Sequence, residues 1–360
     1  MRDERGVTKC VVWDCDDTLW EGTLLEGGGQ RLKPGIETII RALDGRGILQ
    51  SIASKNNRDD VVARLDALGV GEFFVAPQVG WYPKSAMLKN LCEVLNIGEN
   101  ALMMVDDLAF ELDEIRSELP NVVCIDAAAY ATLPDLPHVN PAVISRDARE
   151  RRLRYQEEAC RKFDQKRFEG PADAFLEGLG MRMRIARATE DDLERAEELT
   201  RRTNQMNTTG IPYDRDTLHA LLDDERFAIL ICHVDDRYGP YGMVGLALVE
   251  LGDRDWRIRL FLTSCRVVNR GVGNAFLHTI INCAVAARRG VTADWRGTGR
   301  NRPMEVTYRL AGFRSDSVEA ADPAIQVLRL EAPGERAVPP YIAIDATAFD
   351  RVPESCAARS

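Results

Sequence analysis

The sequence predicts two domains, a doubly wound parallel-sheet α/β domain followed by an α+β domain, and three observations predict them. Between residues 10 and 127, short apolar runs alternate with amphipathic stretches of helical length. Between Phe227 and Cys265, three strand-like runs follow one another with no helix between them. The chain of 360 residues is also longer than one core usually organises. Repeated strand–helix–strand units cross over right-handedly and so build a parallel sheet, whereas uninterrupted strands pair antiparallel.

The elements follow in order. The apolar run Cys10–Trp13, extended to Asp16, is the first strand, and a helix starts near Ile36. Then come strand Ile48–Ser54, helix Asp59–Leu68, strand Phe73–Ala76 and helix Ser85–Leu95. Strand Ala101–Asp107, helix Ala109–Leu119 and strand Val122–Asp126 complete a first domain over residues 1–140. An alanine- and proline-rich exit leads to the highly charged stretch Ser145–Glu169, read as a solvated helix in a linker over 141–180; basic substrate contacts are its other reading. The second domain, 181–332, runs strand Met183–Ala188, helix Asp191–Thr203, strands near Phe227–His233, Met243–Leu251 and Trp256–Cys265, and a helix from Gly271 to about Arg288. Strand Val291–Trp295, a short helix at Glu305–Leu310 and strand Ile325–Leu330 end it. A tail over 333–360, with several prolines, is expected to be partly ordered.

Net charge −10 argues against a nucleic-acid partner recruited by bulk electrostatics. The N-terminus is polar, and no run approaches the roughly 20 apolar residues of a membrane span, so no membrane partner and a cytoplasmic location are expected. Nine cysteines, at 10, 15, 92, 124, 160, 232, 265, 283 and 356, form no C-x-x-C pair and read mostly as reduced, buried thiols.

Asp14-Cys15-Asp16-Asp17-Thr18 closes the first strand. Period-two alternation sends Asp14 and Asp16 to the same side of the sheet's carboxyl edge, where ligands of such sheets sit. One carboxylate could attack phosphorus while the other shuttles the proton; a helix cap or a calcium loop is the alternative for the motif alone. Ser54, Lys55 and Asn56 end the second strand, where a hydroxyl and free N–H groups hold phosphate oxygens. Lys84 offers a point charge to the same oxygens, and Asp106 and Asp107 end a further strand. Because a phosphate ester and a carboxylate repel, Mg²⁺ is expected among Asp14, Asp16 and one of Asp106 or Asp107. The roughly 20 residues from Asp16 to Pro34-Gly35 leave room for a flap but no large cap, so the site should be open.

Cys265 ends a strand just before the turn Arg270-Gly271-Val272-Gly273-Asn274-Ala275, which opens a helix. Helix N–H groups favour an anion there, and Arg266 and Arg270 supply a positive field that favours a thiolate, so Cys265 is a candidate acyl-accepting nucleophile. A small core residue is the other reading. His278 is a candidate base, or an ordinary surface or core histidine.

The set Asp14, Asp16, Ser54, Lys84 and Asp106/Asp107 resembles the haloacid dehalogenase (HAD) superfamily, and the Arg270–Ala275 turn resembles the pyrophosphate loop of GCN5-related N-acetyltransferases (GNAT), although Val268 stands where acetyl-CoA users carry Gln or Arg. Together, Val11–Gly22, Ser54-Lys55-Asn56, Val105-Asp106-Asp107, Arg202–Asn207, Ser264–Val267 with Arg270-Gly271-Val272, and Arg300-Asn301 with Leu310–Phe313 resemble the FkbH-like proteins. The resemblance spans residues 11 to 313 and implies a capless HAD-like domain fused to a GNAT-like one. It implies that the glyceryl unit of 1,3-bisphosphoglycerate is dephosphorylated, held as a thioester on Cys265 and passed to the phosphopantetheine thiol of an acyl carrier protein in polyketide-type biosynthesis. Arg266, Arg270 and Arg300 would then neutralise donor phosphates. Asn204, Gln205 and Asn301 would bind glyceryl hydroxyls or polarise the thioester, with caps and turn contacts as their other reading. The sequence departs from the family at Asp17, Glu21, Asn269, Gly273 and Arg300, none of which removes a proposed chemical group. A phosphatase fused to an acyl-CoA-dependent N-acyltransferase, and a non-catalytic carrier-docking module, are the alternative functions.

Overall fold

The computed structural model describes residues 8–27, 29–319, 322–332 and 334–346, and the chain divides into two compact units, residues 1–160 and 161–360. The first expected boundary, at 140, thus moves into a helix.

In the first unit, β1 (Cys10–Trp13), α1 (Ile36–Gly45), β2 (Leu49–Ser54), α2 (Arg58–Ala67), β3 (Gln78–Val79), α3 (Lys84–Leu95), β4 (Leu102–Asp106), α4 (Ala109–Glu118) and β5 (Val123–Asp126) alternate. The sheet order is β3-β2-β1-β4-β5 and every pairing is parallel. Strand β1 is central and fully buried because both its faces are covered. Val11 and Trp13 pack with Ile36, Ile40, Val61 and Leu65 on the α1–α2 side. Cys10 and Val12 pack with Met87, Leu91, Leu112 and Ile115 on the α3–α4 side. Asn57 starts α2 by accepting from the backbone of Asp59 and Asp60, an N-cap of the usual kind.

Two expectations for this unit are corrected. The third strand is Gln78–Val79 rather than Phe73–Ala76: Phe74 forms only an isolated bridge with Gln50, and Ala76 turns the chain at a left-handed φ of 48° before a proline that has no N–H to give. The charged stretch is docked rather than solvated. It forms α5 (Arg146–Arg149) and α6 (Arg151–Arg167); Arg152 Nε lies 3.1 Å from Asp44 Oδ1, and Arg152 Nη1 donates to Glu72 O at 2.9 Å.

The second unit begins with the last turns of α6. There Arg161, 1% exposed, grips Asp236 with two hydrogen bonds of 2.8 and 2.9 Å and stacks 3.9 Å from the Tyr241 ring centroid. It continues through α7 (Ala172–Gly178), β6 (Met181–Arg187), α8 (Leu193–Arg202), α9 (Arg215–Asp223), β7 (Phe227–Asp236), β8 (Gly239–Leu251), β9 (Asp255–Thr263), α10 (Val272–Ala286), β10 (Gly290–Trp295), α11 (Arg302–Ala311), β11 (Phe313–Glu319), β12 (Gln326–Leu330) and β13 (Ile342–Asp345). The sheet order is β11-β12-β10-β9-β8-β7-β6-β13, with β9–β10 and β6–β13 parallel and the other pairings antiparallel. This is the expected α+β domain. Helices α10 and α11 bury one face of the sheet, α8 and α9 the other.

The elements not foreseen are α7, α9, β11 and β13. The last of these corrects the expected tail. Asn282 and Arg336 exchange side-chain and backbone bonds, His278 Nδ1 donates to Ala337 O at 2.7 Å, and Ile342–Asp345 pairs with β6. The rest of that tail, Cys356 included, and the first seven residues lie outside the described residues. Among the described residues no helix is long and apolar enough to cross a membrane.

Candidate active site

Strand β1 stops at Trp13, so the pleat does not orient Asp14 and Asp16. Asp14 N still donates to Val105 O at 2.9 Å, which keeps Asp14 on the sheet edge, while Asp16 lies in the following loop. The two carboxylates therefore acquire different partners. Lys84, 3% exposed at the start of α3, puts Nζ 2.8 Å from Asp14 Oδ1 and 2.6 Å from Asp106 Oδ2. Asp106 Oδ1 accepts from Leu108 N at 3.0 Å. Asp16 Oδ1 accepts from Trp20 Nε1 and Leu24 N, both at 2.9 Å, and its Oδ2 accepts from Asn56 Nδ2 at 2.9 Å.

Electrostatics follow from this packing. Burial pushes the Asp14 carboxyl up to about 7, against the pull of Lys84, and Asp106 nearby pushes it further. Burial likewise raises Asp106, with Lys84 opposing. Burial opposes the Lys84 ammonium, but Asp14 and Asp106 together outweigh it and hold it above the ordinary lysine value.

Ligand atoms of Asp14, Asp106 and Asp107 all lie within 4.8 Å of one another. The donor set fits Mg²⁺: it is all oxygen, and of its three carboxylates two, Asp14 and Asp106, share the one Lys84 ammonium, leaving an excess of negative charge that a hard divalent cation offsets. Asp16, expected among the ligands, lies outside this group, with two N–H donors on Oδ1 and one on Oδ2. Asp17 also turns away. At a left-handed φ of 49°, which aspartate tolerates, it accepts from Gly22 N at 2.9 Å, and its carbonyl accepts from Lys33 Nζ. Thr18 Oγ1 donates to Asp107 Oδ1 at 3.3 Å.

The expected phosphate binders separate. Ser54 is buried at the end of β2 and accepts from Asn56 Nδ2 at 3.1 Å. Both Asn56 amide hydrogens are thus taken, by Asp16 and Ser54, and Asn56 orients Asp16 rather than offering donors to phosphate. Lys55, 38% exposed, is paired with Glu111 at 2.5 Å. Trp20 and Leu24, which hold Asp16, were not foreseen; the tryptophan four residues after Asp16 is the signal in the sequence.

In the second unit, Ser264 N donates to Val244 O at 2.7 Å, and half-buried Cys265 opens a one-turn 3-10 helix, Cys265–Val267. Arg266 Nε donates to Ser264 Oγ at 3.3 Å, which keeps this arginine beside the turn. Arg270 is 4% exposed and packs inward, its guanidinium 6.0 Å from the Phe175 ring centroid. Gly271 starts α10 at φ 75°, and a Cβ there would meet Tyr341 Oη at 2.6 Å. His278 Nδ1 is taken by Ala337 O.

Asn301 is a clamp. Its Nδ2 donates to Asn207 O and Arg296 O, both at 2.9 Å, and its Oδ1 accepts from Thr298 N at 2.9 Å. It fixes a buried segment, Asn207-Thr208-Thr209, which is bridged to Leu262 of β9 and bonded through Thr208 O to Arg296 N. Asn204 and Gln205, exposed in the turn before that segment, and exposed Arg300 are the substrate candidates that remain at the surface.

No protein-family profile matches the chain, and no curated protein matches it. Solved structures similar to it include the N-terminal part of the protein BF1531 from Bacteroides fragilis, containing a phosphatase domain complexed with Mg, at 23% identity and TM-score 0.32; the match covers 37% of this chain and 40% of that one. Another is the ribosomal-protein-S18-alanine N-acetyltransferase from Escherichia coli, at 15% identity and TM-score 0.32, covering 43% of this chain and 98% of that one. A third is Ard1 from Thermoplasma volcanium, at 15% identity and TM-score 0.31, covering 41% and 94%.

Proposed function

We propose that this chain is a bifunctional glyceryltransferase and phosphatase of the FkbH-like kind. It takes the glyceryl unit of 1,3-bisphosphoglycerate, removes phosphate, holds the acyl group on Cys265 and loads it on the phosphopantetheine thiol of an acyl carrier protein for polyketide-type biosynthesis. The observation that carries the reading is the division of labour between Asp14, paired with Lys84, and Asp16, held apart by three N–H donors.

Asp14 attacks the phosphorus of the ester, and the bond to the alcohol oxygen breaks as Asp16 supplies its proton. Water, deprotonated by Asp16, then cleaves the aspartyl phosphate and releases inorganic phosphate. Lys84 holds Asp14 and Asp106 in place and offsets their charge. Mg²⁺, held by Asp14, Asp106 and Asp107, would supply charge neutralisation for the incoming phosphate. In the transfer half, the Cys265 thiolate adds to the carbonyl of the acyl phosphate and expels phosphate; the carrier thiolate then adds to that thioester and expels Cys265. Free thiols on both partners suit a reducing cytoplasm.

The test is phosphate release and carrier loading by paired variants. Asp16→Asn is expected to slow phosphate release by about 10²–10⁴-fold and Asp14→Asn to abolish it, both leaving Cys265 acylation intact, whereas Cys265→Ala leaves phosphate release from simple esters and abolishes loading. Coenzyme A-dependent acylation of amines that survives Cys265→Ala would contradict the reading.

A further inference from the structure

This inference rests on the phosphatase reading above and names the class of ester that the Asp14 site takes. In the sheet order β1 lies between β2 and β4, and the residues that follow these two flanking strands meet across its carboxyl end. Lys55, directly after β2, puts Nζ 2.5 Å from Oε1 of Glu111, in the first turn of α4 after β4. Both ends of this pair are bonded into the site. Asn56, next to Lys55, gives its amide to Asp16 Oδ2 at 2.9 Å and to Ser54 Oγ at 3.1 Å. Glu111 N donates to Leu108 O at 3.0 Å, and Leu108 N donates to Asp106 Oδ1 at 3.0 Å. The contacts close a ring: from Asp16 through the Lys55–Glu111 pair to Asp106, and from Asp106 through Lys84 to Asp14 and back along the chain. Ser85 N, next to Lys84, donates to Glu114 Oε2 at 3.2 Å, which fixes the start of α4 to the start of α3.

The two ammonium groups of this ring are differently placed. The Lys84 side chain is 3% exposed and spent on two carboxylates, whereas that of Lys55 is 38% exposed and is bonded to Glu111 alone. An ammonium carries three N–H donors, so two of those on Lys55 remain for a ligand. The Glu111 side chain is only 7% exposed; burying a carboxylate beside Asp106 and Asp107 works against stability, and what it achieves is to hold a flexible lysine stem in one place. We infer that Lys55 is a specificity-determining residue: it takes a second anionic group, carboxylate or phosphate, of the ester whose phosphate lies at Asp14, and Glu111 is the positioning residue that holds its ammonium there. The reaction is unchanged by this contact. The ester P–O bond breaks, the phosphoryl group passes through Asp14 to water, the alcohol oxygen takes its proton from Asp16, and Lys55 keeps its own.

The experiment compares kcat/KM for phosphate release, with Mg²⁺, from 3-phosphoglycerate and propane-1,3-diol bisphosphate, which carry a second anion, and from glycerol 3-phosphate, which does not. The larger of the two ratios to glycerol 3-phosphate is expected to exceed about tenfold for the native chain and shows which anion Lys55 takes. It is expected to fall toward one in Lys55→Met, through a higher KM for the ester with the second anion, and to return in Lys55→Arg, which keeps the charge; an unchanged melting temperature shows that both variants fold. Lys89→Met removes an ammonium paired with Glu118 at 3.1 Å further along α3 and α4 and is expected to keep the native ratio. Native ratios near one, or a ratio that Lys55→Met does not lower, would overturn the inference. So would an equal loss of release from all three esters in Lys55→Met, which would make Lys55 a tie within the fold. A folded native chain that releases phosphate from none of the three would instead sink the phosphatase reading itself, and this inference with it.

Discussion

Two buried carboxylates, Asp14 and Asp106, share one ammonium in the first unit, and this shortage of positive charge governs how the site answers to pH and metal. The Asp14 carboxyl sits near 7 when folded, against an ordinary value of 3.8. The folded state therefore binds this proton more tightly than the unfolded chain. The stability it confers is fully present below about pH 4 and is lost as pH rises through 7. Mg²⁺ competes with that proton and binds only the folded site. The melting temperature of metal-free protein is thus expected to carry a fall between pH 4 and 7 that Asp14→Asn removes. Mg²⁺ is expected to raise the melting temperature more at pH 8 than at pH 5; an equal rise at both would contradict metal binding at Asp14. At this scale the acidic residues were legible in the sequence because few other side chains do this chemistry, but their partners were not. Alternation placed Asp14 and Asp16 together, yet β1 ends one residue before Asp14, and the loop gives Asp16 to Trp20, Leu24 and Asn56.

Among the elements, the segment Asn207–Thr209 shows how a polar motif can be structural. It is buried without a helix or a full strand of its own, and its carbonyls are satisfied by Asn301 and Arg296. Removing Asn301 leaves buried backbone carbonyls unpaired, at about 1–3 kcal/mol each. Asn301→Ala is expected to lower unfolding free energy by roughly 2 kcal/mol or more, measured by urea denaturation. Unchanged stability with lost Cys265 acylation would restore the substrate role that the family resemblance implies for it. The regular elements of both units were readable because their apolar periodicity records which face is covered. Those that were not readable have tertiary causes: β3 is displaced by the Ala76-Pro77 kink, and β13 exists through pairing with β6 and the Asn282–Arg336 clasp. The charge of α6 concealed Arg161, whose buried pairing with Asp236 no helical pattern announces.

For the whole molecule, the claim is that two chemistries on one chain serve one acyl unit: phosphoryl transfer at Asp14 and acyl capture at Cys265. The order of the two folds was legible because each carries its own periodic signature over a long stretch. The proposed link between the chemistries rests on the resemblance carried by the combination of motifs from residue 11 to 313, since neither the Asp14 cluster nor Cys265 alone names a substrate. The most direct measurement is intact-protein mass spectrometry after incubation with enzymatically generated 1,3-bisphosphoglycerate and Mg²⁺, with Cys265→Ala alongside and a phosphopantetheinylated carrier protein added afterwards. A glyceryl or phosphoglyceryl adduct that requires Cys265 and moves to the carrier is the predicted result. A chain that stays unmodified while still releasing phosphate from simple esters would contradict the account.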